Sequence, residues 1–512
     1  MKAKVSLKNI TGKKYGYLLA PFLSGIIIIS AHPPFEQGYM AWVALLPLLW
    51  TCLQVSPRQA FWAGFIFGLP FNLYVNLYLA NVLYPYLSDL LATIAMTALV
   101  VYTSLFYGVF ALATALIKNA AKPWLAALAV PSIWLVVEYL RSLSFLAYNV
   151  GYLGYTQWQY PVLLNIASVY GYWGLPFLIV FFQTIILLSY RQELRKKSLF
   201  TVASVFVFLL AAGLIVPVLQ PVENERSPLR VALIQGNIAP ELVIDRNRHE
   251  IVDHYLDLTR AALAKDPAVE MVVWPETVVH LDFRVEEKHP PNLARLAAEH
   301  EVDLLYGARI RREDNLYNSI TLLSKNQEAI PVYNKQRLVP FVEFFPAEQL
   351  LNQILQLDLL LGSYTAGDDI TIFEVDGIKV SGVVCFESYF GDHMRLFAKQ
   401  GSRHQFVVTN DAWFGESIGL EQHAQVAAIR AAEAGRGVTQ VANSGITISF
   451  DYRGRELFRS GKSEQAVFIL PLDMTTRETI YTRFGDFFPA FWSVFLIITV
   501  PVLLFKTSRG SF

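Results

Sequence analysis

Residues 381–388 read Ser381-Gly382-Val383-Val384-Cys385-Phe386-Glu387-Ser388. The first four suit a buried strand, and the polar turn after them leaves a thiol at the strand's exit. A nucleophile there exposes its sulfur while the backbone N–H behind it can face an oxyanion. Two further strand ends carry single charges. Met271-Val272-Val273-Trp274-Pro275-Glu276 closes on a carboxylate, and Val332-Tyr333-Asn334-Lys335 closes on an amine. Leu338-Val339-Pro340-Phe341-Val342-Glu343 then adds a second carboxylate. Taken singly, each is most often a solvated strand-end charge. Together they predict a base, Glu276, for the thiol proton and a cation, Lys335, for developing oxyanion charge, with Glu343 as the second carboxylate.

Outward from these ends, short β-branched runs alternate with helical stretches. Strands are expected at 230–235, 271–274, 303–307, 319–323, 332–334, 379–384, 405–409, 439–442, 447–451 and 466–470, and amphipathic helices at 247–264, 291–300 and 421–435. The alternation argues for an α/β layered domain.

The rest of the chain is different in kind. Over 512 residues only 16% are charged, against roughly 25% in a soluble globule. Residues 1–220 hold 13 Lys/Arg and 4 Asp/Glu, while the remaining 292 hold 29 and 38. The first part reads as membrane and the second as a water-soluble domain. This excludes a single soluble globule, a disordered chain and a disulfide-rich secreted module, and no basic face suggests nucleic acid. Apolar runs long enough for the roughly 30 Å hydrocarbon core fall at 15–31, 40–56, 60–83, 90–117, 123–140, 162–190, 199–219 and 488–505. A signal peptide at the first run is set aside, because six more spans follow directly.

Eight spans with the N-terminus inside put 14 basic residues in the inner connections, from Lys2 to Arg509, against Arg141 alone in the short outer loops. This obeys the positive-inside rule. The expected division is therefore a seven-span membrane domain over 1–221, an outer domain over 222–482, and a terminal span with a short inner tail over 483–512. Acidic residues near the spans are few, which speaks against an ion pathway. Only Glu138 lies well inside a span, and Arg141 one turn later is expected to form a local ion pair with it.

The two cysteines, Cys52 and Cys385, fall on opposite sides of this topology and cannot pair. A lone outer thiol is either buried and inert or chemically used. The nine histidines show no tight ligand spacing, so neither a metal nor a cofactor is expected. Gly415-Glu416-Ser417-Ile418-Gly419 fits a serine-hydrolase pattern but lacks well-separated triad partners downstream.

The ordered set Trp274-Pro275-Glu276, Tyr333-Asn334-Lys335, Cys385-Phe386-Glu387 and Asn410-Asp411-Ala412-Trp413-Phe414-Gly415 resembles the carbon–nitrogen hydrolase (nitrilase) superfamily. With seven spans before the domain and one after, it resembles the apolipoprotein N-acyltransferase branch. Segments 231–237 and 338–346, Gln422-His423 with Arg430 and Glu433, and Asn443-Ser444-Gly445 match as well.

The resemblance implies an αββα sandwich bearing a Glu276–Lys335–Cys385 triad, on the periplasmic side of a bacterial inner membrane. It also implies a ping-pong acyl transfer. The Cys385 thiolate attacks a membrane phospholipid, typically phosphatidylethanolamine. The thioester is then taken by the N-terminal amine of a diacylglyceryl-modified apolipoprotein. Lys335 and the Phe386 N–H would stabilise the tetrahedral intermediates. Glu343 and Glu387 would orient Lys335 and the active-site loop, with Asn410, Trp413 and His423 beside the site.

Three departures stand out. Phe386 replaces the usual Tyr, a Trp is replaced near Ile244, and 145–149 lacks the usual Pro-Trp pair. A membrane-tethered amidase or nitrilase, with water as acceptor, is the competing reading, and a transporter with an outer sensory domain is the third. The apolar segment 344–370 is a candidate lid over the cleft.

Overall fold

A computed structural model describes residues 16–509, apart from 86, 119–121, 144–145, 224–227, 240–247, 286, 326–329 and 345–363. Most of the candidate lid, Ile244 and Phe145 lie outside the described residues. The chain divides into two compact units, Met1–Val218 with Asp486–Phe512, and Leu219–Gly485.

The first unit is helical. Asp89–Ile117, Pro123–Ser142 and Lys196–Leu219 are each long and apolar enough to cross a membrane. Pro161–Tyr170 and Gly174–Tyr190 make a fourth if the pair, bent by 108°, counts as one span. The single run expected at 162–190 is thus divided, and Gly171, with φ 68°, makes the break. The run at 40–56 is divided too, into a 3-10 turn Gly38–Trp42 and a helix Leu46–Cys52.

A break at apolar depth exposes backbone groups that need partners. Gln183 supplies them: its Oε1 accepts from Leu45 N at 2.8 Å and its Nε2 donates to Ala41 O at 3.0 Å. The expected Glu138–Arg141 pair does not form, for the same reason. Arg141 Nη2 donates to Val150 O at 3.1 Å, and its guanidinium lies 4.2 Å from the Tyr152 ring centroid. Glu138 accepts from Leu153 N at 3.3 Å and Tyr172 OH at 3.2 Å. Each stays within the other's electrostatic reach, but these hydrogen bonds go to the irregular stretch around 150–153 and to Tyr172.

The second unit contains fourteen strands among its described residues. In chain order they are β1 Val222–Glu223, β2 Leu229–Gln235, β3 Met271–Asp282, β4 Asp303–Arg312, β5 Asn315–Leu323, β6 Val332–Asn334 and β7 Phe373–Val375. There follow β8 Ile378–Val384, β9 His404–Thr409, β10 Gly437–Ala442, β11 Ile448–Phe450, β12 Glu456–Arg459, β13 Ala466–Leu472 and β14 Thr476–Arg477. Two six-stranded sheets form, ordered β13-β2-β3-β4-β5-β6 and β12-β11-β10-β9-β8-β7, while β1 and β14 pair in a short ribbon. At the centre of each sheet three strands run parallel, β2-β3-β4 and β8-β9-β10.

Tyr255, Leu256, Leu293 and Leu296, from helices Arg248–Lys265 and Pro291–His300, pack with Ala232, Val272 and Leu304 of the first sheet. Val426–Ala434 packs on β10 and β11 of the second sheet, and Gly391–Lys399 and Ile418–Ala424 pack against that helix. The sheets face each other so closely that a Cβ on Gly382 of β8 would lie 2.6 Å from Ile320 Cδ1 of β5. The layers are therefore helix, sheet, sheet, helix.

All ten expected strands occur. The helix expected at 421–435 is two helices in series, and a nine-residue helix, Gly391–Lys399, was not expected.

One irregularity shapes the site. The β3–β4 register shifts between Trp274 and Val279, and Thr277 takes a left-handed φ of 59°. This bulge turns Glu276 out of the ladder. Gly307 on β4 makes room for it, since a Cβ there would lie 2.3 Å from Pro275 O and 2.6 Å from Glu276 Cα. Gly307→Ala is expected to cost about 1–3 kcal/mol, lowering the melting temperature and turnover together. Wild-type values in a melting curve and a rate assay would refute that role.

Candidate active site

The chemistry-bearing side chains come from one strand bulge and from the residues that follow three strands. Glu276 comes from the β3 bulge, Lys335 follows β6, Cys385 follows β8, and Asn410 follows β9. Cys385 begins a 3-10 turn, Cys385–Tyr389, with φ 50°. A left-handed, non-glycine residue at a strand exit is strained and needs support from its surroundings. As the turn's second residue, Phe386 has an amide with no acceptor inside the turn.

Lys335 is 1% exposed and donates to Glu343 Oε1 at 2.8 Å. Burial alone would lower its pKa, but Glu343, Glu276 and Cys385 outweigh that and raise it above the ordinary lysine value. The amine is held as a cation. Asn318, in β5, ties the carboxylates together: its Nδ2 donates to Glu276 Oε1 at 2.7 Å and to Glu343 Oε1 at 3.0 Å. Val339 N closes on Glu343 Oε2 at 2.8 Å, and Asn410 N closes on Glu276 Oε2 at 2.9 Å.

Burial raises the Glu276 pKa, as does Glu343, while Lys335 and the bonds from Asn318 and Asn410 act against them. The Cys385 thiol is pushed well above its usual value by burial and then by Glu276, with Lys335 opposing. A resting thiol and a strengthened carboxylate base are a matched pair for proton transfer.

Glu387 is wholly buried. Its Oε1 accepts from Tyr333 OH at 2.7 Å, Gln336 N at 2.7 Å and Arg337 N at 3.0 Å, and its Oε2 accepts from Val384 N at 2.8 Å. Burial would raise its pKa, but His393, the Val384 amide and Lys335 hold it at about 2. Glu387 therefore fastens the segment after Lys335 to the strand that ends at Cys385. Phe386 packs between Tyr389 and Phe390, with ring centroids 5.8 and 5.3 Å away.

Asn410 Oδ1 accepts from Asn443 Nδ2 at 2.9 Å, joining the ends of β9 and β10. Trp413 lies in the next 3-10 turn, Asp411–Phe414, and is half-buried. His423 stacks on Tyr389 at 5.7 Å and 9°, with Nδ1 at 2.9 Å from Asp411 Oδ1.

Ligand-capable atoms of Cys385, Asp411 and His423 lie within 4.8 Å of one another, a grouping that linear spacing does not reveal. Both His423 nitrogens already have protein partners, Nδ1 on Asp411 and Nε2 beside Ser388 Oγ and the Cys385 carbonyl. The cluster therefore reads as a hydrogen-bonded chain. Ser417, the serine of the discounted hydrolase pattern, accepts from Gly419 N as a helix N-cap.

The nine residues singled out from the sequence thus fall in one region of the second unit. Asn318 and Asp411 were not singled out. An amide within an apolar strand is itself a signal, since Asn is depleted in strands. If Asn318 supports the charge of Glu276, Asn318→Leu should cut kcat at least about tenfold and move the acid limb of the pH–rate profile upward. An acid limb that stays in place would refute the assignment.

Two family models match the chain: one for the apolipoprotein N-acyltransferase N-terminal domain at residues 24–185, and one for carbon-nitrogen hydrolase at 230–481. The apolipoprotein N-acyltransferase of Geobacter metallireducens is 30% identical over 486 residues, covering 92% of each chain. That of Pseudomonas putida is 31% identical over 482 residues, 90% of this chain and 92% of its own. That of Azotobacter vinelandii is 30% identical over 465 residues, 88% of each.

Proposed function

This chain belongs to the apolipoprotein N-acyltransferase family, and from that membership we propose that it carries an acyl group on Cys385 between a membrane phospholipid and the N-terminal amine of a diacylglyceryl-modified apolipoprotein. The observation that carries this reading is the left-handed Cys385 at a strand exit, with Glu276 and a buried, cationic Lys335 among its electrostatic neighbours.

Glu276 takes the proton from Cys385 Sγ as the sulfur attacks the ester carbonyl. Lys335 Nζ and the Phe386 N–H receive the oxyanion. Glu276 returns the proton to the leaving lysophospholipid oxygen, and a thioester remains. In the second half, the acceptor amine attacks that thioester, Glu276 takes its proton, and the sulfur leaves and is reprotonated. The acyl ester's energy is largely kept in the thioester, so no nucleotide enters. Glu343 holds Lys335 in place, and Glu387 holds the nucleophile's turn. Phosphatidylethanolamine is the expected donor.

The bacterial inner membrane is the proposed location, with eight spans and the 222–482 domain on the periplasmic side. The skew of 14 basic residues against one supports that orientation.

Purified protein incubated with phosphatidylethanolamine and no acceptor should gain one acyl chain in its intact mass. The adduct should be labile to hydroxylamine and absent from Cys385→Ala. No adduct on folded, active protein would exclude the ping-pong route and favour direct transfer. For orientation, Val285 is 84% exposed. Val285→Cys, on a background lacking Cys52 and Cys385, should react with a membrane-impermeant maleimide on intact spheroplasts. Labelling only after lysis would reverse the topology.

A further inference from the structure

Beside Cys385 runs a chain of buried polar groups that the mechanism above leaves unused. Thr409 ends β9 and is wholly buried. Its hydroxyl donates to Asp411 Oδ1 at 2.7 Å. Val384 of β8 lies opposite Val408 of β9, so Thr409 and Cys385 leave adjacent strands side by side, and Cys385, Asp411 and His423 offer atoms within 4.8 Å of one another. Asp411 lies within 2.9 and 3.1 Å of His423 Nδ1 through its two oxygens. His423 Nε2 in turn sits 3.2 Å from the Cys385 carbonyl oxygen and 3.1 Å from Ser388 Oγ. The chain thus leaves Cys385 at its sulfur and returns at its carbonyl.

A hydroxyl has one proton to give, and Thr409 faces two acceptors. While the sulfur is a thiol, the Asp411 carboxylate is the stronger acceptor. When the sulfur becomes a thiolate, a second anion competes for the same proton. Asp411 can release the hydroxyl because it keeps His423. Burial would lower the imidazole's pKa, but Asp411 and the Cys385 carbonyl outweigh it and favour the imidazolium. Of the charged groups facing Cys385, Glu276 and Asp411 oppose a thiolate and Lys335 favours one, while His423, with Nε2 3.2 Å from the Cys385 carbonyl, adds positive charge beside the same residue.

We propose that Thr409 is a further catalytic residue, whose hydroxyl turns from Asp411 to the Cys385 sulfur as Glu276 removes the thiol proton. The thiolate is then held by Thr409 and Lys335 together, and the same hydroxyl meets the sulfur again when the amine cleaves the thioester. The turn makes and breaks no covalent bond: the sulfur's proton resides on Glu276, and Thr409 keeps its own. Asp411 and His423 are positioning residues, fixing the hydroxyl and the left-handed Cys385 backbone. This inference rests on Cys385 being the acyl-carrying nucleophile.

Thr409→Val preserves shape and removes the hydroxyl, while Thr409→Ser preserves the hydroxyl and removes a methyl. For wild type and both variants, two rates are read. One is alkylation of Cys385 by iodoacetamide from about pH 6 to about pH 10, the range bracketing a thiol's titration. The other is thioester formation from phosphatidylethanolamine without acceptor. Thr409→Val should slow both about tenfold near neutral pH and move the alkylation profile to higher pH, and Thr409→Ser should stay within about twofold of wild type.

A wild-type profile in Thr409→Val would overturn the proposal. So would a Thr409→Ser as slow as Thr409→Val, which would assign the effect to packing. If wild type alkylates at Cys385 yet forms no thioester, the nucleophile reading itself fails, and this inference fails with it.

Discussion

The buried Lys335–Glu343 pair is the constraint around which the site is built. An ammonium at 1% exposure persists only with an anion in contact, and the Glu343 oxygen at 2.8 Å supplies it. Once those two charges cancel, Glu276 is the surplus anion of the triad region. Its charge is kept in a half-buried setting by two donors, Asn318 Nδ2 and Asn410 N. The pair thus divides the work: one carboxylate is committed to structure and the other is available for proton transfer. Two carboxylates, one at a bulge inside β3 and one in a turn, acquire different roles because only one of them is saturated by the lysine.

The helical unit obeys the same rule on neutral groups. Its divided helices leave backbone donors and acceptors at apolar depth, and side chains from other helices satisfy them, with Gln183 reaching Ala41 and Leu45. Glu138 and Arg141 sit one turn apart and would pair on an isolated helix. They part because the irregular chain at 150–153 presents unsatisfied groups to each of them. Satisfying backbone in an apolar medium takes the hydrogen bonds of both side chains, while their charges remain near each other.

What was legible in the sequence follows from where each signal lives. A strand closing on a lone charge or thiol is a local pattern, so Glu276, Lys335 and Cys385 stood out, and β-branched runs located all ten expected strands. Asn318 was not legible as a site residue, because its two carboxylate partners lie 42 and 25 positions away in sequence. The bond depends on β5 pairing with β6 in the observed register, with Ser319 opposite Asn334. The Thr409–Asp411–His423 chain escaped for the same reason: it is assembled across a strand end, a 3-10 turn and a helix. The bend at Gly171 lay inside a run that is apolar on average from end to end, so hydropathy read it as one span, although Gly171, Gly174 and Pro176 mark the break in the sequence.

Phe386 shows how backbone and side chain can be assigned separately at a single position. The oxyanion donor proposed there is the amide, which the left-handed turn at Cys385 directs whatever side chain follows. The ring is 8% exposed and packs between Tyr389 and Phe390. Glu387, the carboxylate that fastens this turn, draws its bonds from Tyr333 and the amides of Val384, Gln336 and Arg337. A hydroxyl at position 386 is therefore not required by any of these bonds around the Cys385 turn. The replacement of tyrosine by phenylalanine leaves the amide, the turn and its carboxylate clasp in place, and its effect belongs to whatever meets the ring's edge.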